Sequence, residues 1–312
     1  MTRHHSISGG AGSWLATKVD MAAHPREDHH FIFADTLYED ADCYRFLIEG
    51  LAHLLGRAVI VPSVDDFPDY RVSGDFDIAT YAGNQEWREF LAYLRRQTEA
   101  SIPELTWIVE GRDPWEVFRD SKFLGNSRID PCSKSLKRAP LDKWRLENAN
   151  AETDVFTVGI GPHEAHRYHR LAERMAKDGW RYEAPLLGTF EGEVGAFGYL
   201  KAAGIARPRL YRKNYMHNNC GGFCIKAGHA HYQNRYRVDP ERYAYDAMME
   251  RKLAAYIGKP VTMMTDRAND NIKKPLSLDA FADRLASNPE FNFEYEQGTG
   301  GCGCMVDYEE AA

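Results

Sequence analysis

The sequence predicts an α/β fold: a doubly wound, mostly parallel sheet with helices on both faces, continued by a cysteine-containing C-terminal extension. Three observations point there. Short apolar runs with strand character alternate with amphipathic runs of helical period between residues 13 and 161. A glycine-rich turn, "SISGGAGSWLATK" (6–18), leads directly into the first helical run. No internal repeat or low-complexity linker interrupts the 312 residues, a length that can bury a sizeable core.

Taken in order, "TRHHSI" precedes the turn as a short strand, unusually polar for a buried one. Residues 13–23 form the first helix, and "HHFIFADT" (29–36) reads as a buried strand ending in an acid. From Cys43 to Leu55 the apolar residues Cys43, Phe46, Leu47, Leu51, Leu54 and Leu55 recur at helical spacing, with Gly56 as C-cap. Cys43, on that apolar face, is a core residue. "RAVIVPS" (57–63) supplies a third strand, 85–97 a second amphipathic helix, and "TDVFTVGIG" (153–161) a strand running into a glycine turn.

Past about residue 185 a helix lies between two proline-marked segments, and 241–258 forms a last amphipathic helix. One continuous domain, 1–230, with an extension over 231–312 fits this texture. Ligands of parallel sheets sit beyond the carboxyl ends of the strands where strand order reverses, so Gly9, Gly10, Asp35 and Gly159 are expected to converge.

A composition of 44% hydrophobic and 27% charged residues is that of an ordinary soluble protein. A net charge of −7 and a pI near 6.0 argue against a globally basic nucleic-acid binder, while leaving room for a local patch. The densest basic segment, 133–145, reads by itself as a solvated helix face. Without an apolar run near eighteen residues or a signal-like start, the chain is expected to be cytoplasmic, complete at its start and free of any membrane. Six cysteines in such a chain point to metal binding or catalysis before disulfides.

Five segments stand in a fixed order: the loop Ser8-Gly9-Gly10-Ala11-Gly12-Ser13, "FADT" with Asp35 and Thr36, "CSKSLKRAPL" with Cys132, Lys137 and Pro140, "GIGPHEAHR" with Gly159, Glu164 and Arg167, and "GIARPRLYRKNYMHNNCGGFCIKAG". The first resembles an SGGxDS loop, the third CxxxLKxxPL and the fourth GxRxxExxR. Over residues 5–230 the chain therefore resembles the phosphoadenosine phosphosulfate reductase-like branch of the PP-loop, or adenine nucleotide alpha hydrolase, superfamily. Two positions depart from the pattern: Gly12 stands at the loop aspartate and Gly161 at the first arginine of the fourth motif.

The resemblance implies a Rossmann-like (HUP) fold and cleavage of ATP between its α and β phosphates, with Mg2+ neutralising the oxygens. Nucleotide contacts then fall to Ser8, Gly9, Gly10, Gly12, Ser13, Asp35, Thr36 and Gly159. Ser13, Lys137, Arg138 and Arg167 become catalytic candidates, with Glu164 orienting Arg167 or a lysine rather than acting as a base. Surface salt bridging is the plainer alternative for the three cations. His163, His166 and His169 receive no role.

Cys220 and Cys224 form CxxxC in a Gly-Gly turn, and Cys302 and Cys304 form CxC after "GTGG". With Cys132 they offer five thiolates for a site that usually needs four. In iron–sulfur members of the resembled family such cysteines hold a four-iron four-sulfur cluster, which implicates Cys132, Cys220 and Cys224 with Cys302 or Cys304 as fourth. Thiolates suit Zn2+ equally, held by the two C-terminal pairs. Cys132, after Pro131 at a helix start, is alternatively a nucleophile.

The leading functional expectation is an AMP- and pyrophosphate-forming enzyme that adenylates an acceptor in sulfur transfer or in nucleic-acid modification or defence. Its expected partners are ATP, an acceptor such as nucleic acid or a sulfur-donor protein, and further copies of the chain. A sulfonucleotide reductase using a C-terminal cysteine is the second, although "GCGCMVD" lacks the family's Glu-Cys-Gly context. A nucleotide-binding subunit without turnover is the third.

Overall fold

Five strands hydrogen-bond side by side, all parallel, in the order β3-β2-β1-β4-β5. In the computed structural model, which describes residues 1–126, 129–188, 193–267 and 273–293, they are joined by helices in the predicted alternation. β1 (Thr2–Ile7), α1 (Ala11–Ala23), β2 (Asp28–Asp35), α2 (Ala41–Leu55), α3 (Gln85–Ser101) and β3 (Leu105–Val109) build one half. α4 (Pro114–Ser121) and a continuous helical stretch lead back across. That stretch consists of α5 (Pro131–Ser133), a π-turn (Lys134–Arg138) and α6 (Ala139–Asn148). β4 (Val155–Val158), α7 (Ala165–Lys177) and β5 (Arg181–Glu183) complete the sheet.

The expected third strand is corrected. Residues 57–63 are irregular, and the third strand is Leu105–Val109. Gly56 caps α2 in the left-handed conformation, Ile60 in the midst of the apolar run is 94% exposed, and Pro62 lacks a ladder donor. Val59 and Val61 pack at the edge of the core without pairing.

Period-two alternation separates the two faces of the sheet. Arg3, His5 and Ile7 of β1 share a face with His29, Phe31 and Phe33 of β2, whose core includes residues of α2 and α3. His4 and Ser6 lie on the other, where Ile32, Phe156 and Val158 pack with Leu171 and Met175 of α7. The polar strand β1 is buried because its side chains find partners there, Arg3 on Asp20 and His4 on Asp154 among them.

Beyond the sheet come α8 (Glu193–Ala202), α9 (Arg209–Arg212), α10 (His229–Val238), α11 (Pro240–Ile257), an antiparallel pair β6 (Met264–Arg267) and β7 (Lys273–Leu276), and α12 (Leu278–Ser287). One apolar cluster joins Tyr38, Trp115 and Phe118 to Phe223, Tyr232, Met249 and Phe281, drawing on both sides of residue 230. No described helix is long and apolar enough to cross a membrane.

Candidate functional site at the carboxyl ends of the strands

Strand order reverses between β1 and β4, so the turns that follow them flank the switch point. The turn after β1 holds Ser8–Gly10, and Gly10 is the N-cap of α1 with no side chain to close it. The helix start leaves the N–H groups of Gly12 and Ser13 without an intrahelical carbonyl. Gly9 adopts φ +73°, and a Cβ there would lie 2.2 Å from Cys43 Sγ. Cys43 is fully buried against the loop, as its helical pattern predicts.

Gly159, after β4, comes so close to the loop that an added Cβ would lie 2.4 Å from Ser13 Cα and 2.6 Å from its nitrogen. Loop and β4 turn thus form one wall, in which Gly159 meets Gly12 and Ser13. The Ser13 hydroxyl braces this wall. It donates to the Gly10 carbonyl at 2.9 Å, accepts from Ser8 N at 3.2 Å, and lies 3.2 Å from Ser8 Oγ.

Asp35 serves the architecture of the β2 turn. Its carboxylate accepts from Leu37 N and Tyr44 Oη, both at 2.8 Å, and from Trp107 Nε1 at 3.0 Å. Burial, with Glu39 nearby, lifts its pKa to about 6 against the pull of those donors. Thr36 donates to Glu39 at 3.2 Å.

Glu39, which the sequence motifs did not single out, is the carboxylate at the centre. It is 2% exposed, accepts from Lys137 Nζ at 2.9 Å, and also accepts from Cys220 N. The π-turn carries Lys137 inward, where burial alone would lower its pKa; Cys220 and Glu39 outweigh that and raise it. Lys137 is therefore a buried cation paired to Glu39. Arg138 forms ion pairs with Asp130 at 2.9 Å, and Glu164 pairs with Arg167 at the start of α7.

Cys132, Cys220 and Cys224 are free, half-buried thiols. Burial, then Cys224 and Asp130, push Cys132 up to about 12; burial likewise raises Cys220 and Cys224. Cys132, Cys224 and Lys137 are among the groups whose charge acts on Cys220, although the three sulfurs do not all come within 4.8 Å of one another. Cys220 holds φ 52°, a left-handed conformation uncommon for a residue with a side chain. Soft donors spaced wider than one small ion requires suit a multi-metal cluster better than a single zinc, and its positive charge would favour their thiolate form. Cys302 and Cys304 lie outside the described residues.

The segment before Cys220 adds residues that lie in the fifth of the ordered segments but have no role assigned by its motif. Asn218 Nδ2 donates to the Gly9 carbonyl at 2.7 Å, and Tyr211 Oη accepts from Ala11 N at 3.3 Å. Among the described residues, the buried atoms Asn218 Oδ1, Asn219 Oδ1 and His217 Nδ1 find no hydrogen-bond partner. The His217 imidazole is held neutral, its pKa lowered to about 4 by burial and by Lys137. Position immediately before the cysteine pair was the one available signal, and it names no role.

Comparison with family models, with curated proteins and with solved structures finds no match to this chain.

Proposed function

We propose that the chain binds ATP at the carboxyl ends of β1 and β4 and cleaves it between the α and β phosphates. The observation that carries this reading is the wall made by Gly159 against Gly12 and Ser13. It sets backbone N–H groups and the positive end of α1 at the switch point of a parallel sheet, an arrangement suited to phosphate. The motif order described above supports the choice of an adenine nucleotide.

In the proposed reaction an acceptor oxygen forms a bond to the α-phosphorus while the bond from that phosphorus to the bridging oxygen breaks. The electron pair leaves with pyrophosphate and the acceptor's proton passes to solvent. Loop N–H groups hold the departing pyrophosphate, and Lys137 supplies positive charge at the edge of the site. Magnesium would neutralise phosphate oxygens; Asp35 and Glu39 are already committed to protein donors, which leaves its contacts chiefly to the nucleotide. If an iron–sulfur cluster is bound, Cys132, Cys220 and Cys224 would hold it, and it would supply structural rigidity or redox chemistry near Lys137.

A second reading, binding without turnover, is favoured by Gly12 and by those committed carboxylates. Incubation of anaerobically purified protein with α-labelled ATP and magnesium, beside calorimetric titration of ATP, separates the two. Labelled AMP that is lost in Ser13→Ala supports cleavage. Bound but intact ATP overturns cleavage in favour of the second reading, and absence of binding removes both.

A further inference from the structure

At the opposite end of the same sheet, four histidines crowd the start of β1 and β2: His4, His5, His29 and His30. The phosphate chemistry has no use for them. His5 Nε2 and His29 Nδ1 lie 2.9 Å apart, with Asp20 Oδ2 of α1 at 3.9 Å from His5 Nε2. Ligand atoms of His5, Asp20 and His29 all fall within 4.8 Å of one another. From these positions we propose a metal site of the zinc, cobalt and nickel class, held by His5 Nε2, His29 Nδ1 and Asp20 Oδ2.

The outer nitrogens of both rings are already oriented as metal-bound imidazoles are. His29 Nε2 lies 3.0 Å from the His24 carbonyl, which only accepts, so this nitrogen carries the proton and Nδ1 presents its lone pair. His5 Nδ1 lies 2.8 Å from Thr157 Oγ1. Without metal, His5 Nε2 donates to His29 and the Thr157 hydroxyl donates to His5. With metal, the His5 proton moves to Nδ1 and is donated to Thr157. The exchange is a tautomer shift, so the ring stays neutral. Burial, with His29 and Arg3 adding to it, lowers the His5 pKa to about 3 and keeps the imidazole available as a ligand.

Charge in the surroundings favours a divalent cation. Arg3 is outnumbered by carboxylates: its Nε donates to Asp20 Oδ2 at 2.5 Å, leaving that oxygen its other lone pair for the metal, and the same guanidinium faces Glu27 at 3.4 Å and Glu183. Helix α1 ends at this spot, with His24 as its C-cap, so its negative end points the same way. The ligand separation needed is small: tetrahedral bonds of about 2.0–2.1 Å place two nitrogens about 3.3 Å apart. His5 is fully buried and His29 partly exposed, so the ion enters from the His29 side. Two imidazoles and one carboxylate leave a fourth position for water.

Cobalt(II) chloride is the probe, added to the full chain after dialysis against a chelator. The expected result is a thiolate-free class of bound cobalt: visible d–d bands without the intense sulfur-to-cobalt charge transfer that the cysteines would produce. His29→Ala should remove this class and leave any thiolate class intact, with far-ultraviolet circular dichroism unchanged. Thr157→Val, a near-isosteric change, should weaken the class by about 10–100-fold. If His29→Ala does not fold, Thr157→Val decides. The proposal is overturned if no thiolate-free cobalt binds, which leaves a hydrogen-bonded imidazole pair, or if both variants bind cobalt as the parent chain does.

Discussion

The two ends of the sheet are built from the same strands yet offer opposite chemistry. At the carboxyl ends stand the starts of α1 and α2, backbone N–H groups and the buried Lys137. At the amino ends stand the last turn of α1, imidazole lone pairs and three carboxylates around Arg3. A parallel sheet sends every crossover helix back with the same polarity, so the N-terminal helix dipoles gather at one end and the C-terminal ones at the other. The difference teaches that one topology makes one end suited to anions and the other to cations before any side chain is chosen.

Each end also contains one buried ion pair, and breaking either gives the largest expected effect. Lys137→Met leaves Glu39 buried without its cation and should cost about 3–5 kcal/mol in urea unfolding. Arg3→Met does the same to Asp20. The ends should then part company: cobalt at a hundred times its dissociation constant should add about 2.7 kcal/mol to Lys137→Met, whose histidine site is intact, and more to Arg3→Met, in which Asp20 has lost the guanidinium that competes with the metal. Equal recovery in both variants would erase the distinction between the two ends.

Next in size is a pH effect confined to the carboxyl end. Asp35 titrates near 6 in the folded chain against 3.8 as its ordinary value. Between about pH 4 and 6 the unfolded chain releases a proton that the native state keeps, so this group makes stability fall as pH rises and become level above that window. At about 1.4 kcal/mol per unit, the fall amounts to roughly 3 kcal/mol. Asp35→Asn should lack this fall, seen as a difference between the two stability-against-pH curves; parallel curves would show that Asp35 ionises normally.

Gly159→Ala forces a methyl group into the Ser13 backbone and should cost about 1–3 kcal/mol by thermal melting. Nucleotide binding should weaken with it, while cobalt binding at the histidine end stays as in the parent chain. The smallest effect is a gain. A Cβ at Gly12 meets only the Gly159 carbonyl, at 3.5 Å, so Gly12→Asp fits and adds an acid to the first turn of α1. It should stabilise by about 0.3–1 kcal/mol without nucleotide, read as a small rise in Tm.

Much of this was legible along the chain because it rests on local pattern. Helical spacing from Cys43 to Leu55 located α2 and buried Cys43, and the Gly9–Gly10 turn located the start of α1. Residues 57–63 misled because apolar alternation reports burial preference and says nothing of a pairing partner; Leu105–Val109, shorter and less regular, has partners in β2. Glu39, Asn218 and the histidines of β1 escaped for a related reason. Each acts through a residue distant in sequence: Glu39 through Lys137, Asn218 through Gly9, His5 through Thr157.

By itself, then, the sequence determined the alternation of helix and strand, the glycine turn and the helical face that buries Cys43, since near-neighbour sterics and hydrophobic period set these. Tertiary structure decided which charges meet. The strand order β3-β2-β1-β4-β5 brings Gly159 onto Ser13 and Thr157 onto His5, and helix packing sets Lys137 on Glu39 and Asp20 on Arg3. Pairings of that kind depend on how distant segments close in space, and no local period encodes them.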